Sequence, residues 1–467
     1  MLVTRRGILG GGLGILATGA ARAAERPIVN DASGLDPTEV AHIVRPRASA
    51  EVARLVKDWQ GTISIGGGGF SMGGQIAEPD SLHFDMRGLN RLLALDPVNR
   101  RVRVQTGMRW RDLQSLIDPH GLSVKIMQSY SDFTIGGALS VNCHGRYVAA
   151  GPIINSVRDI TLVTAAGDTI SASRTERPEL FHAAIGGYGG LGIITEATLD
   201  LVANVRMERR AASLPLSRYP AFFDEHVRGD AEAVMHNADI DPADFSRAMA
   251  VSWYRTDKPV TIPDRLFPAG ASSAWDRTSV WLLSSAPGAH LLRREVVDPL
   301  DYAQHPVVWR NHEASLSLGA LGPLSDATGC FALQEYFVPR VRFLDFARAM
   351  SRILIAGRVN ALNVSIRHSP ADPQTLLAWA RQEVFSFVLF YRQGRSPAAQ
   401  AGVRQWTRQL IDAVLECGGS YYLPYQLHAT PEQFNRAYPG AQRFWEVRRA
   451  LDPRGRFRNR LWDRYGA

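Results

Sequence analysis

The chain has 467 residues, 45% of them hydrophobic and 21% charged. This composition fits folded domains and excludes a disordered, collagen-like or low-complexity chain. Lysine and arginine number 53 against 45 aspartate and glutamate, a net charge of +8, yet the arginines are scattered and no zinc-finger or basic-zipper spacing occurs, which argues against a nucleic-acid partner.

Residues 1–23 read as an address. Arg5-Arg6 precede an uncharged run from Gly7 to Ala21, shorter than the about 20 residues a membrane span needs. Ala21-Arg22-Ala23 fits an A-x-A cleavage site, so a twin-arginine signal peptide is expected here. The mature protein would then be periplasmic or secreted, with no stable membrane insertion. The same stretch holds Gly12-Leu13-Gly14-Ile15-Leu16-Ala17, a match to G-x-G-x-x-A. No strand precedes it, so the dinucleotide fingerprint is rejected.

Residues 36–203 read as a mixed α and β unit. The apolar run VAHIV from Val40 meets Pro46, and Ser49 caps a helix with Val52, Leu55 and Val56 at helical spacing. Strands follow at Thr62–Ile65, at LHFDM from Leu82 and at RVRVQTG from Arg101. A helix from Trp110 ends at Pro119 and Gly121, a hairpin turns at Ala166-Gly167-Asp168, and GIITEATLDLV from Gly192 is another strand. Over 204–417 tryptophan and proline become more frequent and glycine motifs thin out, which marks a second domain. Strands are expected at ALQEYFVP from Ala332 and NALNVSIRH from Asn360, with a helix from Arg342 to Gly357 between them. The tail, 418–467, holds a strand, a capped turn at Thr430-Pro431 and a helix stopped by Asp452-Pro453. The three cysteines, Cys143, Cys330 and Cys417, form no metal or redox pair, and at most one bridge is open to them.

Chemistry concentrates in three glycine clusters. Gly66-Gly67-Gly68-Gly69-Phe70-Ser71 follows a strand, and four residues without Cβ let successive N–H groups converge on a phosphate or pyrophosphate. The second is Phe133-Thr134-Ile135-Gly136-Gly137-Ala138-Leu139, leading into Asn142-Cys143-His144-Gly145-Arg146. The third runs from Ile185 to Ile194 and includes Gly192. Three such clusters in one unit point to a large ligand with a pyrophosphate and a ring system. Gly69-Phe70-Ser71-Met72-Gly73 also matches the G-x-S-x-G elbow of serine hydrolases. That motif needs a helix directly after the serine, and glycines, a proline and a strand follow instead.

The order GGGGFSMGGQ, FTIGGALSVNCHG, IGGYGGLGIITEATLDLV resembles the FAD domain of the vanillyl-alcohol-oxidase superfamily. Within it, LQEYFVP, GGSYYLPYQLHATPEQFNRAYP and EVRRALDP are similar to decaprenylphosphoryl-ribose oxidase, with aldonolactone and alditol oxidases also near. The resemblance covers most of 40–205 and 330–455; about 206–325 resembles nothing placed. It implies an α+β fold: a PCMH-type two-subdomain FAD-binding domain (36–203), a C-terminal α+β substrate-capping domain (204–417), and a segment (418–467) returning to the FAD domain. Gly66, Gly67, Gly68, Gly69, Phe70 and Ser71 would take the pyrophosphate. Ser129, Tyr130, Thr134, Gly136, Gly137 and His144 would line the cofactor. Gly192 and Ile194 would sit near its adenine or ribityl part, and Tyr422 would reach back to the flavin.

Three departures from the family pattern shape the expectation. Many members carry a flavin-linked histidine where this chain has Phe70, and phenylalanine cannot form the bond, so non-covalent FAD is expected. Bicovalent members need a cysteine near Ser131, and none is there. The ribose oxidase has a lysine at the Tyr425 position, which points away from an epimerase-type ribose substrate.

The expected activity is oxidation of a CH–OH group in a sugar, polyol or lactone-like small molecule, by hydride transfer to flavin N5 with a base taking the hydroxyl proton. Glu335 and Tyr336 alternate on a strand, so only one can face a pocket; by position that is Glu335. Tyr425, His144 and His428 complete the catalytic candidates, and Arg146 and Arg367 are candidates to hold an anionic or polyol substrate. The electron acceptor would be oxygen or a respiratory carrier, and no metal site is expected. The alternatives are a non-catalytic exported flavin- or nucleotide-binding protein and a serine hydrolase using Ser71. Replacing Arg5 and Arg6 by lysine should leave the precursor inside the cell; normal export of that variant, measured by cell fractionation, would show the address was misread.

Overall fold

The computed structural model describes residues 26–242, 244–268, 304–318 and 324–466; the expected signal peptide lies outside them. A short parallel sheet begins the fold, with His42–Val44, Leu82–Asp85 and Ile63–Gly66 in that order. Helix Ser49–Asp58 turns Val52 and Val56 into the same apolar cluster as Leu82, Phe84 and Ile63. Its N-cap is Ala48 rather than Ser49, whose hydroxyl instead donates to Glu196 at 2.9 Å.

Ile63–Gly66 is an edge strand, and an open edge needs a partner. The C-terminal segment supplies it. Ile63 N donates to Arg456 O at 2.7 Å, and Arg458 N donates to Ile63 O at 3.0 Å. The buried Arg456 guanidinium anchors this segment by donating to the carbonyls of Val56, Trp59 and Ala165. The strand that feeds the first glycine cluster is therefore completed by residues almost four hundred positions away.

Beside it lies an antiparallel sheet in the order Thr169–Ser173, Val157–Val163, Ile193–Ala203, Arg101–Gln105, Leu92–Asp96, with Leu122–Val124 paired to the far end of Ile193–Ala203. Ile193–Ala203 alternates buried and half-buried positions, the pattern of a sheet with one apolar face. Across the other face Arg103 bridges Asp159 and Glu196 at 2.9 and 2.8 Å.

The third sheet has eight strands among the described residues: Val307–Trp309, Arg206–Pro215, Arg247–Arg255, Ala233–Ile240, Ala361–Ser369, Val384–Gly394, Gly329–Pro339 and Ser420–Tyr421. Helices Phe343–Ala356 and Pro397–Glu416 bury Phe346, Met350, Trp406, Leu410 and Val414. Tyr336 packs on Phe346 at 5.6 Å between ring centres, so the period of two turns Glu335 to the opposite face, toward the glycine clusters.

One reading in the tail changes. Thr430-Pro431 opens the helix Pro431–Ala437, with Thr430 and Gln433 forming a capping box, rather than a turn. The three cysteines are all unpaired.

Arg310 ties the eight-stranded sheet to the N-terminal unit. It is 7% exposed, donates to Ser123 Oγ, Val124 O and Lys125 O at 2.9–3.1 Å, and lies over the Tyr147 ring. Arg310→Met keeps the bulk and strands these acceptors. It should lower stability by about 2–3 kcal/mol, read as a lower urea midpoint; an unchanged midpoint would show the guanidinium is dispensable.

Candidate active site

The three glycine clusters converge on one groove. Its walls include Gly67 and Ser71 from the first cluster, Thr134, Gly136 and Gly137 from the second, and Tyr188, Gly189, Gly192 and Ile194 from the third, with Met86 and Thr106 between. The local reasons are steric. A Cβ on Gly67 would collide with Thr134 Oγ1, and one on Gly192 would meet Val163 O at 2.5 Å. Gly192 also has φ +147° and Gly69 φ +76°, conformations that favour glycine. Thr134 caps the helix Ile135–Ser140, its hydroxyl accepting from Gly137 N at 3.3 Å.

At its other end the groove opens into a cavity under the eight-stranded sheet. Gly67, Ser71, Thr134, Gly137 and Val141 line both spaces. The cavity adds Gly68, Gly69, Phe70, Phe133, Cys143, His144, Glu335, Arg367, Tyr422, Pro424 and Tyr425. The tail is held there by main-chain bonds: Tyr422 N donates to Glu335 O at 2.9 Å and Met72 N to Pro424 O at 2.9 Å. The Gln75 amide donates to Leu423 O and to Tyr425 O, both at 2.7 Å. Gly73 must be glycine here, because a Cβ would sit 2.5 Å from Tyr425 O.

Three side chains form the polar centre. His144 Nε2 lies 2.6 Å from Glu335 Oε1, and both side chains are fully buried. Tyr425 donates its hydroxyl to Glu335 Oε2 at 3.4 Å. Burial alone would raise the Glu335 carboxyl; the adjacent His144 imidazole, aided by Arg367, overcomes this and holds it below the ordinary range. An ionised Glu335 only accepts, so His144 carries a proton on Nε2, while its Nδ1 is buried without a partner. Phe337, Trp379 and Tyr422 surround the imidazole with ring centres 4.9–5.9 Å away. Tyr425 is pushed well above the usual tyrosine value by burial and by Glu335, so it stays a phenol.

Not every expected residue joins this centre. Arg367 lines the cavity, and its Nε is buried without a partner. Arg146 does not; Glu313 neutralises it at 2.7 Å. Ser129 and Tyr130 are not among the residues lining the cavity, and the Ser129 hydroxyl is buried without a partner. His428 lies outside as well: burial and the charges of Arg404, Arg464 and Arg408 push it down to about 3. Gly66 lines neither the groove nor the cavity but a neighbouring cleft. Ser71 is followed by bends rather than a helix, and among the described residues no histidine bonds to it, so the hydrolase elbow is absent. Gln75, Tyr188, Thr106 and Cys143 were not anticipated; the buried Gln in GGQ was the one legible signal among them.

A flat cofactor with a pyrophosphate fits this space: the side-chain-free cradle at Gly67 and Gly192 accepts close backbone approach, and His144 Nδ1 and Arg367 Nε wait unpartnered at the ring end. Residues 40–173 match the family described as FAD binding domain. The chain thus carries a PCMH-type FAD-binding domain in an α+β fold, and it is an FAD-dependent oxidoreductase. Among its relatives, L-gulonolactone oxidase of Bos taurus is 23% identical over 88% of this chain and 90% of that protein. Decaprenylphosphoryl-beta-D-ribose oxidase of Mycolicibacterium smegmatis is 25% identical over 87% of this chain and 89% of that protein. L-galactono-1,4-lactone dehydrogenase of Brassica oleracea is 34% identical over 37% of this chain, spanning 29% of that protein. No helix among the described residues is long and apolar enough to cross a membrane.

Gly67→Ala tests the cradle. Overpacking of this kind costs about 1–3 kcal/mol, so the variant should hold FAD roughly tenfold more weakly with its far-UV circular dichroism intact. Undiminished flavin content after gel filtration would remove Gly67 from the binding surface.

Proposed function

We propose that the protein oxidises a CH–OH group of a sugar, polyol or lactone-like small molecule with FAD held by non-covalent contacts. The observation that carries this is the His144–Glu335–Tyr425 centre, placed where the glycine-lined groove opens into the cavity under the second domain. The three relatives named above act on sugar-derived substrates by their names, which supports the substrate class. Bound FAD supplies the hydride acceptor.

The chain's own residues do the rest. Glu335 fixes the imidazole with Nε2 as donor, leaving Nδ1 to accept the substrate hydroxyl proton. This moves the proton acceptor from Glu335 to His144, because a carboxylate held below its ordinary range is a poor base and a good orienter. Tyr425 keeps a neutral O–H on Glu335 and closes that side. Arg367, which lines the cavity and whose Nε is buried without a partner among the described residues, is placed to hold a polar or anionic end of the substrate. The aromatic ring of Phe70, against Phe133 at 4.7 Å, offers the flavin no nucleophile for a covalent bond.

The test is anaerobic stopped-flow bleaching of the flavin with a panel of aldonolactones, alditols and sugars. Glu335→Gln and His144→Ala should each slow reduction by about 10²–10⁴-fold with FAD still bound, and acid precipitation of wild-type protein should leave FAD in the supernatant. Wild-type reduction rates in both variants would discard the dyad, and flavin remaining with the precipitate would discard non-covalent binding.

A further inference from the structure

A second cleft lies at the first glycine loop. Gly66 to Phe70 form part of its lining, and Gly67 to Phe70 with Ile76 also line the cavity described above. Apolar side chains make up much of the lining, among them Val29, Ile76 and Leu324. At its mouth Ile28 and Ile43 are 60% and 44% exposed, two large apolar side chains left in water.

The floor carries one polar group whose hydrogen-bonding state can be worked out. His83 is 5% exposed. Its Cε1–Nε2 edge lies against Gly66, where a Cβ would meet both atoms at 2.8 Å. Its Nδ1 is 3.0 Å from Ser64 Oγ, and Ser64 Oγ is 2.8 Å from Ser81 Oγ. Ser81 donates its single hydroxyl hydrogen to Glu78 O at 2.7 Å. Ser64 must therefore donate to Ser81, and it accepts from His83, so the His83 proton resides on Nδ1. Nε2 is left as a bare acceptor with no bonded partner. Burial, against the opposing pull of Asp85 and with the help of Arg87, pushes the imidazole down to about 4, so it stays neutral near pH 7. The charges around it are already spent: Asp85 accepts from both Arg45 and Arg87.

A buried acceptor in a cleft whose lining is part polar and part apolar, with Ile28, Val29, Ile43, Ile76 and Leu324 on its apolar side, calls for a flat amphipathic ligand that presents an O–H or N–H donor. We propose that the cleft lined by His83, Ile28, Ile43 and Gly66–Phe70 is a binding site for a phenolic ring of the quinone–hydroquinone class, with the ring hydroxyl donating to His83 Nε2. The reduced and oxidised forms of such a ring differ by two electrons and two protons, and only the reduced form carries the O–H. The site therefore favours hydroquinone over quinone. A site beside the groove suits the reduced product of a two-electron acceptor, the quinone being the form that takes up the electrons and protons and the hydroquinone the form held. That role rests on the function proposed above, whereas the binding does not.

The experiment uses the FAD-loaded protein under argon and 2,3-dimethoxy-5-methylhydroquinone as the probe, with binding followed by isothermal titration calorimetry. Saturable binding is expected at one site per chain, and tightest for the hydroquinone. The quinone form and the di-O-methylated ring, which lack the donor, should bind roughly tenfold more weakly. His83→Val should abolish that preference. Ile43→Asp, at an exposed position and thus safe for folding, should weaken all three ligands. Tyr425→Phe should change none of them. Equal binding of the three rings to wild-type protein, an unchanged preference in His83→Val, or a probe that competes with substrate in the cavity would each overturn the assignment. No substrate turnover is needed, so failure here leaves the proposed oxidation standing, and failure of that oxidation leaves this test intact.

Discussion

The site depends on one side-chain amide. Gln75 follows the first glycine cluster, and its NH₂ group donates to two carbonyls of the tail, Leu423 and Tyr425. These bonds join a loop from the first sixth of the chain to a segment from the last tenth. Gln75 is nearly fully buried, so neither carbonyl has water to replace it. Everything polar in the cavity hangs on that join: Tyr422 and Tyr425 come from the tail, His144 from the second glycine cluster and Glu335 from the eight-stranded sheet. Three separate segments of the chain thus supply the four side chains.

The electrostatics of the centre follow from competition between burial and pairing. A lone carboxylate at the Glu335 position would be driven toward its neutral form. The imidazole at 2.6 Å and the phenol of Tyr425 give the anion enough partners to persist. The same burial, acting on Tyr425 and Tyr422 beside that charge, keeps both as phenols. Tyr422 spends its hydroxyl on Val141 O at 2.8 Å, so it is a wall, while Tyr425 faces the carboxylate. Arg146 and Arg367 show the complementary lesson. Both are arginines near one pocket, but Glu313 has already neutralised the first.

Much of the N-terminal unit was legible because its signals are local. The glycine runs, the β periodicity of RVRVQ and GIITEATLDLV, and the Ala166-Gly167-Asp168 turn each state their own geometry. Alternation on the strand allowed only one of Glu335 and Tyr336 to face the pocket, and position chose Glu335. What the sequence hid was mostly long-range. Nothing near Arg146 announces Glu313, and nothing near His428 announces the arginines that surround it. Strand Arg206–Pro215 carries charged residues on both faces, Glu208 on one and Arg209 on the other, which blurs its period. Helix Pro397–Glu416 was readable in principle, from the Ser396 cap and from Val403, Trp406, Leu410 and Val414 at helical spacing.

The two-residue strand Ser420–Tyr421 and the bonds of Arg456 and Arg458 to Ile63 have a consequence for how the molecule is made. Domains generally form from the N-terminus during synthesis. Here the unit formed first keeps an unfinished edge and an open groove until residues 420–458 have been made. A polypeptide that stops before Ser420 lacks the wall of the pocket as well as the edge of the sheet.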